Sequence, residues 1–236
     1  MSSSSNWRSV WERKGAEAED ATPDLEALLQ ANGYDTGCSD VTPAAWGAYV
    51  DRVLSRLGAT AGDTLFEVGC GAGAFLLACH ERGLTVAGCD YSSTLSALAS
   101  RALPGSHIEC RQASEVPPLP QYDFVVSAGV FHYFPDLEYA SGVISTMARK
   151  AHDGVAVLDV PDIAHREANL QLRYQLAGSK EAHEERYQGL DHLHYEREWV
   201  VQAMQNAGLA SVEVSDLDIK GYANAPSRFN AFAWRT

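Results

Sequence analysis

Thr64-Leu65-Phe66-Glu67-Val68-Gly69-Cys70-Gly71-Ala72-Gly73-Ala74 is the stretch from which the rest of the chain can be read. Thr64 to Val68 has the character of a buried strand, a glycine cluster follows, and apolar residues then recur at helical spacing to about Arg82. Leu84 to Cys89 reads as a second strand, which completes a β-α-β unit. The alternation continues with a helix from Ser93 to Ala102 and strands near His107–Arg111 and Tyr122–Ser127. A helix from Leu137 to Lys150 and a strand from Val155 to Val160 extend it. Strands alternating with helices predict an α/β, doubly wound, mostly parallel sheet covered on both faces.

Upstream, Trp7 to Lys14 and Asp24 to Gln30 read as short helices, the second opened by Thr22-Pro23. Thr42-Pro43 repeats that signature and starts a helix whose stripe is Trp46, Tyr49, Val50, Val53 and Leu57, with Gly58 ending it. After Pro161 the pattern breaks into a polar, helix-leaning segment, Ala164 to Leu190, too long for an ordinary connection. It reads as an insertion or lid, residues 162–194 with its flanks. A helix from Glu196 to Asn206 follows, and Ser211–Ile219 and Arg228–Trp234 alternate as two strands joined by a turn. They are expected to finish the sheet with an antiparallel strand at its end. Residues 1–41 are thus a tail with cover helices, and 42–236 one ligand-binding domain.

Composition narrows the function. A chain of 236 residues, 46% hydrophobic and 21% charged, suits one α/β domain rather than two. Lys+Arg 18 against Asp+Glu 31 gives a formal net charge of -13, which opposes a nucleic-acid partner. The five cysteines, Cys38, Cys70, Cys79, Cys89 and Cys110, contain no C-x-x-C pair, so neither a disulfide framework nor a zinc site is suggested. A reducing cytoplasm is the expected compartment. No apolar run of signal-peptide or membrane-span type is found. Asp191-His192-Leu193-His194 has the form D-H-x-H, but helical ligand spacing and a nearby cysteine are missing, so no metal is expected.

The glycine run also satisfies the dinucleotide fingerprint G-x-G-x-x-G/A, so its spacing alone leaves the cofactor open. Glu67 decides more. A fixed negative charge beside the loop repels a pyrophosphate but suits a ligand carrying an ammonium and a sulfonium, which describes S-adenosylmethionine. Asp90 ends the second strand about 20 residues beyond the glycines, where a carboxylate can accept hydrogen bonds from both ribose hydroxyls. The competing reading of Asp90 is a helix N-cap.

Three stretches together carry a family resemblance: Glu67-Val68-Gly69-Cys70-Gly71-Ala72-Gly73, then Gly88-Cys89-Asp90-Tyr91-Ser92, then Tyr122 through Asp136 with Phe131-His132-Tyr133-Phe134 at its heart. From about Thr42 to Thr236 the chain resembles the class I S-adenosylmethionine-dependent methyltransferases. The resemblance implies a Rossmann-like seven-stranded sheet with an antiparallel last strand. It also implies that Glu67, Gly69, Gly71 and Gly73 lie beside the methionine part, that Asp90 holds the ribose and that Tyr91 packs on the adenine. Where the family often has Asp-Ala after the third strand to meet the adenine, this chain has Gln112-Ala113. Catechol-type, magnesium-dependent members carry an acid after the fourth strand, and Ser127-Ala128-Gly129 departs from them. No Asn/Asp-Pro-Pro-Tyr signature of nucleic-acid methylation is found. The stretch Gly221 to Asn230 resembles the tail of small bacterial methyltransferases of natural-product and surface-polysaccharide pathways, but the preferred reading is a sheet hairpin with no ligand contact.

Ligands of open α/β sheets bind beyond the carboxyl ends of the strands, which selects Ser127 to Phe134, Val160 to His165 and the insertion. Ser127 is expected at the cofactor, Tyr133 and Phe134 as walls around a substrate. His132 suits a general base or a substrate contact, the bland alternative being a buried loop histidine. Asp191 orienting His192 for proton removal is a second option, with His165, His194 and Tyr195 as further substrate contacts. Trp11, with Trp7, is expected either to cover the cofactor or to be the buried stripe of a docking helix. Arg166, Arg173 and Arg186 either meet an anionic substrate or form a solvated helix face. The expected activity is methyl transfer to oxygen or nitrogen of a small metabolite, with a homodimer compatible. A nicotinamide-dependent oxidoreductase and a cofactor-binding protein without transfer are the alternatives, and fold alone does not choose the acceptor.

Overall fold

The computed structural model describes residues 3–16, 23–35, 39–186, 188 and 190–235. Helices α1 (Ser3–Ala16), α2 (Leu25–Ala31) and α3 (Pro43–Leu57) precede the first strand, β1 (Thr64–Val68). Then come α4 (Ala74–His80), β2 (Thr85–Asp90), α5 (Ser93–Ala102), β3 (His107–Cys110), β4 (Tyr122–Ala128), α6 (Leu137–Lys150) and β5 (Ala151–Pro161). The insertion folds as α7 (Arg166–Ala177) and α8 (Lys180–Arg186), and α9 (Arg197–Asn206), β6 (Ala210–Asp216) and β7 (Arg228–Trp234) close the chain.

Thr42 caps α3 by accepting from the Ala45 amide at 3.2 Å with Pro43 in its first turn, as its sequence signature predicts. Helix α2 differs. Its cap is Asp24, which accepts from the Ala27 amide at 2.9 Å, because an aspartate already stands at the last extended residue. Thr22, the residue expected there, lies outside the described residues, as does Cys38.

The seven strands run in the order β3-β2-β1-β4-β5-β7-β6. Strands β1 to β5 pair in parallel, and β7 runs antiparallel to both β5 and β6. The expected class holds, its antiparallel last strand included, for β7 is last in the chain and antiparallel; it lies between β5 and β6 rather than at the edge of the sheet. In β7, Phe229 to Ala233 is buried throughout, Asn230 included, which an edge position would not allow. Alternate residues of β1 feed two cores. Leu65 packs with Trp46, Phe75 and Leu76 of α3 and α4, whereas Phe66 and Val68 pack with Ile144, Met147 and Val200 of α6 and α9. Both faces of the sheet are therefore sealed, and what remains open is its carboxyl edge.

Candidate active site

At that edge the glycine loop turns back over β2. The amides of Gly69 and Cys70 both donate to the Cys89 carbonyl, at 2.8 and 2.9 Å. Gly69 and Gly71 sit at φ 76 and 54, and a Cβ on Gly71 would lie 2.4 Å from Asn32 Oδ1, so neither conformation nor space admits a side chain. Asp90 is bonded to this loop: its Oδ2 accepts from the Gly71 amide at 2.9 Å and its Oδ1 from the Ser92 amide at 2.8 Å. A carboxylate offers about four lone-pair sites, so it retains capacity for two further donors. Burial raises its carboxyl to about 6 against the pull of those two amides. Glu67 lies beneath, 2% exposed, with Oε2 lacking a hydrogen-bond partner. Burial, and then the charge of Asp90, push its carboxyl well above the usual range. A cationic ligand over the loop would relieve that cost.

Helix α1 covers this floor. Its Glu12 carboxylate accepts from the amides of Ser93 and Thr94 at 2.9 and 3.1 Å, and so caps α5 from outside the helix. The capped turn directly follows Asp90-Tyr91, so α1 is latched to the residues that line the ligand. Trp7 and Trp11 of α1 then face Tyr133, with ring centroids 4.7 and 5.5 Å away. Below α1, Asn32 accepts from the Ala72 amide at 2.7 Å and pins the chain after α2 to the loop.

Beneath this cover runs a cavity of about 580 Å³. One end is walled by Gly69, Gly71, Asp90, Tyr91, Gln112 and Ala113, the other by His132, Tyr133, Asp159, Arg173, Tyr222 and Arg228. His132 stands on a single tight turn, Phe131–Tyr133, just past β4. Its Nδ1 accepts from Arg228 Nη1 at 3.1 Å, and a guanidinium can only donate. The ring proton of neutral His132 therefore sits on Nε2. Burial, followed by the charges of Arg228, His192 and Arg173, holds its pKa well below the ordinary range, so the ring stays neutral. The segment Asp191–Tyr195 is stitched onto the same turn: Leu193 N donates to the His132 carbonyl at 3.0 Å and Tyr195 O–H to the Phe131 carbonyl at 2.8 Å.

A family model described as a methyltransferase domain matches residues 43–214. The chain belongs to this methyltransferase family. The class I expectation is met, with S-adenosylmethionine as cofactor and an enzyme as the product of the fold. No curated protein matches the chain. Among solved structures it is similar to magnesium protoporphyrin IX methyltransferase from Synechocystis PCC 6803 with bound SAH, at 15% identity and TM-score 0.64, over 99% of this chain and 100% of that one. A methyltransferase from Thermotoga maritima, titled a possible histamine N-methyltransferase, matches at 13% identity and TM-score 0.59, over 97% and 99% of the two chains. A putative methyltransferase from Haloferax volcanii, solved with its Trm112 activator, matches at 14% identity and TM-score 0.64, over 95% and 96%.

Within this methyltransferase, the residues expected at the cofactor divide. Gly69, Gly71, Asp90, Tyr91, Gln112, Ala113 and Trp11 all line the cavity, and Gly73 opens α4 behind them. Ser127 does not: it is fully buried inside β4, with no hydrogen-bond partner for its Oγ. The strand continues one residue further than its sequence suggests, to Ala128, which keeps Ser127 below the rim. Among the expected substrate contacts, Tyr133 and Phe134 line the cavity. His165 is exposed, 3.6 Å from Asp162, away from the cavity wall. Tyr195 is a fully buried post under Phe131, and His194 is absent from the wall, its Nδ1 bonded to the His192 carbonyl at 3.0 Å. Burial brings His194 down to about 4.

His192 lines the cavity and stacks on Trp7 at 4.9 Å, but the group at its Nδ1 is Arg173 Nη2, 2.8 Å away. The Asp191 side chain is exposed, and its carbonyl accepts from the Trp7 indole at 3.3 Å. The orienting role expected of Asp191 is thus filled by a cation from α7, which the insertion brings over the site. Asp159, Arg228, Tyr222, Asn32 and Glu12 were not legible as site residues. The first four line the cavity and Glu12 braces its cover, each from an element whose position is set by distant packing.

Proposed function

We propose that this methyltransferase methylates an oxygen or nitrogen of a small metabolite held beside S-adenosylmethionine in the one cavity, with α7, α8 and α1 acting as the cover. The observation that carries the reading is the cavity itself. Its volume is in the range of small-molecule sites, and its wall runs from the Asp90 end to the His132 end. Gly69 and Gly71 leave backbone room for the methionine part, Asp90 keeps free lone pairs for two ribose hydroxyls, and Glu67 and the Tyr91 hydroxyl are buried polar groups still lacking partners. Bound there, the cofactor supplies a sulfonium methyl open to in-line attack. The protein's own task is alignment and exclusion of water, for which Trp7, Trp11 and Tyr133 close the roof. The likeness of the carboxyl-terminal stretch supports a setting in bacterial natural-product or secondary metabolism. The net charge of -13 argues against a nucleic-acid acceptor.

The test is calorimetric titration with S-adenosylhomocysteine beside reduced nicotinamide cofactor under identical conditions. Tight binding of the first alone is expected. Binding of the second alone would move the assignment to the oxidoreductase class.

A further inference from the structure

In β5, three steps from Val157 to Val160 are matched by two in β7 from Ala231 to Phe229. This extra residue is a bulge, a device that re-aims a side chain at the end of a strand. Asp159 sits in it with φ 57, in the left-handed region, and its amide donates to Asn230 Oδ1 at 3.0 Å. Such a backbone is strained for a non-glycine residue, and the surrounding bonds must hold it. The consequence is a carboxylate 2% exposed that lines the cavity. Tyr222 O–H donates to its Oδ2 at 3.1 Å, whereas Oδ1 has no hydrogen-bond partner, the nearest cation being Arg228 Nη1 at 3.7 Å.

The position suits proton transfer. The sheet order sets β1, β4 and β5 side by side, so Gly69, Gly129 and Asp159 follow one another along the rim. A Cβ on Gly129 would lie 3.2 Å from Asp159 Oδ2, so the glycine keeps a side chain out of the space beside the carboxylate. The histidines do not compete for the role. His132 Nδ1 is held by a donor, which leaves the neutral ring no vacant lone pair for a proton. His192 Nδ1 likewise faces Arg173.

Resting on the function proposed above, we propose that Asp159 is the proton acceptor of the reaction, and that the methyl acceptor is a hydroxyl or amine still carrying its proton when it binds. The heteroatom's lone pair forms the new C–X bond, the S–C pair stays with sulfur, and the X–H proton passes to Asp159 Oδ1. The X–H pair remains on the heteroatom, and the carboxyl returns its proton to water after product leaves. The groups facing Asp159 are Arg228 from β7, Tyr222 from the preceding turn, Tyr34 after α2, Tyr49 of α3 and Tyr133 after β4. Burial raises its carboxyl, which strengthens it as a base, while Arg228 and then the Tyr222 hydroxyl favour the ionised form.

The experiment pairs S-adenosylhomocysteine calorimetry with transfer of radiolabelled methyl to a panel of simple phenols and primary amines. Asp159→Asn suits the test because asparagine tolerates the left-handed backbone. It is expected to bind S-adenosylhomocysteine within about twofold of the native protein and to lose roughly 100-fold in transfer. Tyr222→Phe is expected to move the acid limb of transfer to higher pH, because the hydroxyl that favours the carboxylate is gone. Affinity falling in step with transfer in Asp159→Asn would make Asp159 a cofactor ligand and overturn the proposal. So would transfer within about threefold of native, an unmoved acid limb, or a native protein that binds S-adenosylhomocysteine yet methylates nothing in the panel. Failure of the native protein to bind S-adenosylhomocysteine would instead overturn the function proposed above.

Discussion

The end of the cavity at Asp90 is supplied mainly by one continuous β-α-β stretch, Gly69 to Ala113, and it works largely through backbone: loop amides, glycine φ angles, a carboxylate bonded to its own loop. The opposite end gathers His132, Asp159, Arg173, Tyr222 and Arg228 from five separate places in the chain, and it works through side chains. Within the first end's own stretch the bonds are short in sequence, Gly71 to Asp90 across 19 residues and Ser92 to Asp90 across 2. At the second, Arg228 reaches His132 across 96 residues and Asp159 across 69. A ligand common to a family can be read by an end built from the backbone of one supersecondary unit. An end assembled from side chains of five elements can be retuned for a new acceptor without disturbing the fold.

The largest test of this contrast is Arg228→Leu. It strands the buried Asp159 carboxylate and is expected to cost about 3 kcal/mol of stability in urea unfolding. In the protein that remains folded, affinity for S-adenosylhomocysteine should persist, and its disappearance would show that the two ends are not separate. Asp90→Ala is expected to do the reverse, weakening S-adenosylhomocysteine by roughly 2–3 kcal/mol in calorimetry while thermal unfolding changes little. A smaller effect belongs to His132→Ala: about tenfold less turnover with cofactor affinity intact, through loss of an Nε2–H donor. Equal turnover would leave His132 as a structural partner of Arg228.

Glu12→Gln sharpens the comparison from the cover. Burial pushes the Glu12 carboxyl up, but the amides and hydroxyls of Ser93 and Thr94 outweigh it and hold the group at about 2. Because the folded value is depressed, its contribution is fully present above the ordinary value of 4.5 and is lost as pH falls toward 2. Loss of such a cap costs about 1 kcal/mol. Faster release of S-adenosylhomocysteine and a flatter acid limb of stability are expected for the variant. An unchanged release rate would mean that α1 does not gate the cofactor.

The β-α-β alternation, the Thr42-Pro43 helix start and the Glu67 to Asp90 spacing were legible because propensity, capping and hydrophobic period act between near neighbours. For the same reason Gly69, Gly71, Asp90 and Tyr91 come together in the cavity wall, while Ser127 lies one strand residue below the rim. Tyr195 illustrates the other case. It stands in a polar run that reads as an active loop, yet long-range packing buries it completely as a support for Phe131. Asp159 is the converse, a lone acid within an apolar strand, silent until the β5–β7 register forces a bulge there.

The sequence by itself therefore determined the fold class, the family and the glycine-loop end of the cavity, since each rests on interactions within a few turns of chain. Only the tertiary structure decided that β7 enters between β5 and β6, that burial, with Arg228 beside it, holds His132 neutral, and that Asp159 faces the cavity. Those outcomes depend on strand register and on burial of charges against partners far away in sequence, and neither is encoded in any local spacing.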